Sequence, residues 1–61
     1  MGQILLSEYQ SDNRSALIYM DQATRTFWVE AKQQGQVIQK PNFILRDPAE
    51  DWAEDWVQGV V

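Results

Sequence analysis

The last fifteen residues of this 61-residue chain are the only stretch whose apolar side chains recur at a helical period. Ala49, Trp52, Ala53, Trp56, Val57 and Val60 stand at i, i+3, i+4, i+7, i+8 and i+11, the spacing of one face of a helix. The four residues Asp47-Pro48-Ala49-Glu50 carry the marks of a helix start. They offer an aspartate able to accept from unpaired N–H groups, a proline at the first helical position, and a glutamate three residues after the cap. Gly59 is placed to end the element. The spacing predicts a helix over about residues 48 to 58, inside a capped segment 47–59, with Glu50, Asp51, Glu54 and Asp55 on its opposite face.

Everything before that segment reads as short strands divided by polar turns. Gln3 to Gln10, Ser15 to Met20, Arg25 to Lys32 and Gln36 to Lys40 are the runs, and the third is dense in β-branched and aromatic residues (Thr26, Phe27, Trp28, Val29). Ser11-Asp12-Asn13-Arg14, Asp21-Gln22-Ala23-Thr24 and Gln33-Gln34-Gly35 are the turns, the last with a glycine free to take positive φ. Pro41 cannot donate to a ladder and so ends the fourth strand or holds it to an edge, and Phe43-Ile44-Leu45 is a candidate fifth piece. The expected fold is α+β: an antiparallel β-meander of three to four strands over residues 1–46, followed by one amphipathic helix on one sheet face, a single domain spanning 1–61. An SH3-like barrel with a helical tail is the alternative; three glycines are few for its turns.

Composition removes chemistry. With no cysteine there is no disulfide, thiolate nucleophile or zinc ribbon, and with no histidine there is no imidazole ligand or Ser-His-Asp triad. Ser7, Ser11 and Ser15 have no base to activate them, no Walker or GxGxxG loop occurs, and no calcium-loop pattern gathers the carboxylates. The expectation is a protein without catalysis, cofactor or metal. No basic segment followed by an apolar stretch opens the chain, and no apolar run approaches the length of a membrane span, so a soluble cytoplasmic protein is expected.

Charge is unevenly spread. The net charge is −4, yet residues 1–46 hold five bases against four acids, while residues 47–61 hold five acids and no base. Glu50 with Glu54, and Asp51 with Asp55, are like charges one turn apart. This acidic ridge reads first as a solvated face and second as a docking surface for a basic partner or a weak imitation of DNA phosphates. Trp52 and Trp56 read as core packing rather than a ligand platform. Trp28 among Arg25, Lys32 and Lys40 has the elements of a stacking surface for single-stranded nucleic acid, but five bases in the chain are few for that task.

Strand alternation adds a problem of coverage. Phe27, Val29 and Ala31 alternate with Trp28, Glu30 and Lys32; Ala16, Ile18 and Met20 with Leu17, Tyr19 and Asp21; Ile4 and Leu6 with Leu5 and Tyr9. Both faces are therefore partly apolar, and one short helix covers only one. The remaining face, with Trp28, one or more tyrosines and Leu5 or Leu17, predicts association into a homodimer, face to face or through an edge strand.

The ending Ala49 to Gly59 after a short meander resembles the C-terminus of small uncharacterised proteins of bacteriophages and marine microbial sequence collections. That resemblance implies a compact accessory or host-interaction protein and no activity. Three functions follow as expectations: a small non-catalytic homo-oligomeric module for protein binding, through Glu50, Asp51, Glu54, Asp55 or Trp28; alternatively a nucleic-acid-related binder or acidic DNA mimic; or an enzyme subunit or regulator with no chemistry of its own.

Overall fold

A computed structural model describes residues 2–60; Met1 and Val61, the ends of the expected domain span, lie outside it. Five strands, β1 (Gln3–Gln10), β2 (Arg14–Asp21), β3 (Thr26–Gln33), β4 (Gln36–Gln39) and β5 (Asn42–Phe43), precede one helix, α1 (Arg46–Gln58). The strands form an open antiparallel sheet in the order β1-β2-β3-β4, with β5 also on β3, so the molecule is a meander with a helix and not a barrel. Pro41 divides the last edge: β4 pairs the end of β3 at Lys32 and Gln33, β5 pairs its start at Phe27 and Trp28, and the Pro41 carbonyl between them accepts from the Val29 N–H at 3.0 Å.

Turn chemistry sets the register. The two-residue loop Gln34-Gly35 has positive φ at both positions (54° and 82°), the primed geometry whose twist matches the flanking strands. In the β2–β3 turn the Asp21 carboxylate accepts from the Ala23 N–H, and Arg25 takes the left-handed conformation at φ 57° while donating its N–H to the Asp21 carbonyl. At the β1–β2 turn the Ser11 N–H bonds the Arg14 carbonyl.

The core lies between sheet and helix. Ala16, Ile18, Val29 and Ala31 from the two central strands meet Ala49, Ala53 and Trp56 of α1, all buried. Two alanines at consecutive turns let the helix backbone approach the sheet closely, and Trp56 fills the space beyond them. Leu6, Tyr9, Phe27, Phe43, Trp52 and Val57 close the margins.

Several expectations change. Arg14 opens β2 instead of closing the turn, and the fifth strand is Asn42–Phe43, with Ile44 and Leu45 outside it. A bulge between Leu5 and Ser7 shifts the register of β1, so Tyr9 joins Leu6 on the helix side instead of opposing it. The helix starts two residues before its expected first residue, with Leu45 in extended conformation at its N-cap and no side-chain cap bond; Asp47 sits inside the first turn and caps nothing. Arg46 Nε binds the Glu50 carboxylate at 2.6 Å across one turn, so Glu50 does not reach back to the N-cap as a capping box requires. Pro48 is tolerated because the first-turn N–H groups have no intrahelical partner. Val60, counted with the apolar stripe, lies past the cap and is 67% exposed. The end of the helix is as expected: Gly59 at φ 83° donates to the Trp56 carbonyl while Val60 donates to that of Asp55, a Schellman pair.

Candidate functional site

The helix covers one face of the sheet, and among the described residues no element covers the other. Antiparallel pairing assembles that open face in cross-strand rows. One row is Leu5, Tyr19, Trp28 and Asn42; the next is Glu8, Leu17 and Glu30; a third is Gln10, Ser15, Lys32 and Val37. Leu5 is 49% and Val37 44% exposed, while Leu17, Tyr19 and Trp28 are partly exposed. The face is thus mixed: an apolar row of Leu5, Tyr19 and Trp28 with Leu17 in the next row, and the charged residues Glu30 and Lys32 on the central strand β3.

Trp28 is the largest group there. Its indole stacks on Tyr19 with ring centroids 4.4 Å apart and planes 17° from parallel, and the Lys40 ammonium lies over it at 5.2 Å. Of the three cations grouped with it in the sequence, Lys40 alone meets the ring. Lys32 is on the same face but bridges Glu30 at 3.4 Å, and Arg25 stands at the turn, lining a separate depression with Met20, Gln22 and Phe27. An open hollow bounded by Gln3, Asp21, Trp28, Glu30, Lys40 and Asn42 lies over this part of the face.

The acidic residues sit elsewhere. Glu50, Asp51, Glu54 and Asp55 are on α1, across the sheet from Trp28, so the five candidate interaction residues divide between two surfaces and form no single site. Asp51 and Glu54 are exposed, whereas Glu50 and Asp55 are partly covered. Tyr9 stands at the margin of this ridge. Burial pushes its phenol pKa above the usual 10.0, and the negative charges of Glu50, Glu54 and Asp51 push it further, against a smaller lowering by Arg46. Among the described residues no group of three or more acidic side chains is placed to hold a metal ion, and no helix is long and apolar enough to cross a membrane.

Trp52 and Trp56 pack as expected, stacked 5.7 Å apart and 5° from parallel. The contact not foreseen is Arg14. Its guanidinium lies 4.2 Å over the Trp56 ring and donates to the Trp56 carbonyl at 3.0 Å. The signal for it was alternation: Arg14 shares parity with Ala16 and Ile18, and so must face the helix.

Comparison with protein families, with curated proteins and with solved structures gave no match.

Proposed function

We propose that this protein is a small non-catalytic interaction module that works as a homodimer, with the open sheet face as its interface. The observation that carries the reading is the row Leu5, Tyr19, Trp28 with Leu17 in the next row, large apolar groups that the single helix leaves partly exposed. Strands of eight residues at about 3.3 Å each, four across at about 4.8 Å, give a face of roughly 500 Å² per copy. Two such faces reach about 1,000 Å², the lower bound of a specific interface. That size suits a dimer held at micromolar concentration more than an obligate one.

The sheet edges suit pairing less well. The β4–β5 edge is short and interrupted beside Lys40 and Pro41, and the β1 edge carries a bulge and Glu8, all devices that discourage strand addition. Face-to-face packing leaves the acidic helix of each copy outward, where its negative charge keeps the particle soluble.

The test is sedimentation equilibrium of the wild type, Leu17→Lys and Leu5→Lys, with Ile44→Ser as a control. Ile44 is 79% exposed and lies off the sheet, between β5 and α1. The expected result is a dimeric wild type and control and monomeric, folded lysine variants. Loss of the dimer in Ile44→Ser alone would move the interface away from this face.

A further inference from the structure

The open face is charged asymmetrically, and that asymmetry selects how two copies meet. Glu8 is on edge strand β1; its carboxylate accepts from the Gln10 side chain at 3.0 Å and, among the described residues, pairs with no cation. Lys40 is at the opposite edge, between β4 and β5, with its ammonium over Trp28 and, among the described residues, no carboxylate within ion-pair distance. Glu8 pairs with Leu17, Leu17 with Glu30, and Lys40 follows the residue across from Ala31, so Glu8 and Lys40 lie at the two ends of one cross-strand row. Glu30 and Lys32 between them neutralise each other within the chain.

Two twofold axes stack such a face on its copy with the strands of the two sheets aligned. An axis perpendicular to the strands, in the plane of the interface, sets β1 over β1, puts each edge against itself and leaves both charges unanswered. An axis parallel to the strands sets β1 of one copy over the β4–β5 edge of the other and keeps every row in line with itself. In that arrangement Glu8 meets Lys40 of the second copy, twice by symmetry, and Tyr19 meets the second copy's Trp28 in the adjoining row.

Building on the homodimer reading above, we propose that the occupant of the open face is a second copy related by a twofold axis parallel to the strands, with its register set by reciprocal Glu8–Lys40 pairs. The pairs lie at the rim, so their role is to select this orientation while the apolar row of Leu5, Tyr19 and Trp28 supplies most of the adhesion. The aligned packing of two sheets accommodates the arrangement, with the strand directions within about 30° of each other.

A charge-exchange cycle tests it. Glu8→Lys and Lys40→Glu are made singly and together, circular dichroism confirms that each is folded, and the dimer dissociation constant is measured at low and high salt. Each single variant is expected to weaken the dimer about tenfold at low salt, with a smaller effect at high salt. The double variant restores both pairs and is expected to return to within about threefold of the wild type. A double variant as weak as either single one, in a protein that Leu17→Lys still dissociates, overturns this orientation and leaves the dimer standing. A wild type that stays monomeric throughout overturns the dimer and the orientation with it.

Discussion

Trp56 ties three elements together through four different contacts. Its ring is buried against the central strands, its indole N–H donates to the carbonyls of Ser15 and Lys32 on adjacent strands at 3.1 and 3.2 Å, Trp52 stacks on it, and Arg14 covers it. Trp56→Ala is therefore expected to cost about 3 kcal/mol or more, enough to unfold much of a domain this small, as urea denaturation followed by circular dichroism would show. That Trp56 packs inward was legible from the helical period. Its cation partner was not read, because Arg14 was assigned to a turn by composition although its strand parity placed it under the helix. Tyr9 supplies a second residue-scale prediction. With its folded-state pKa raised, the native state holds the phenol proton more tightly than the unfolded chain does, so this stability is fully present below pH 10 and is lost as pH rises through the folded-state pKa. The urea midpoint of Tyr9→Phe should consequently fall less between pH 9 and pH 11 than that of the wild type; equal slopes would contradict the assignment.

At the scale of the element, the helix was legible at its end and misplaced at its start. Gly59 adopts the left-handed conformation that a Schellman cap requires, and few other residues take it at low cost. The start departs from the aspartate-proline pattern: Leu45 holds the N-cap, Asp47 falls inside the first turn, and Glu50 is engaged by Arg46 instead of closing a capping box. The bulge in β1 was missed too. Strict alternation cannot place Leu6 and Tyr9 on one face, since they are three residues apart, and an added residue reconciles them with the same core. The last turn of α1 holds no base and opens with Asp55, one turn beyond Asp51. Asp55→Lys replaces a repulsion by an attraction and meets the helix dipole, so a gain of about 0.5 to 1 kcal/mol is expected in thermal melts. Gly35→Ala runs the other way. A Cβ there touches nothing within 4 Å, so its cost is the left-handed backbone alone, about 1 kcal/mol, or a fall of roughly 4 to 8 °C in Tm.

For the molecule as a whole, one helix of 13 residues, about 20 Å long, packs against only one side of the sheet. The two-layer architecture was legible because the hydrophobic period changes once, near residue 46. The composition of the open face was legible from the parity of β2 and β3, where Tyr19 and Trp28 occupy like positions on adjacent strands and stack. Its opposed charges were not, because Glu8 and Lys40 share a row only after the bulges in β1 and near Ile38 have set the register. The account stands on this face being the place where the chain meets its own copy. Sedimentation equilibrium across micromolar concentrations addresses it most directly: a mass rising to twice the 7.1 kDa of the chain, and held at 7.1 kDa by Leu17→Lys, is the predicted result. A wild type that sediments as a single chain at every concentration would contradict it.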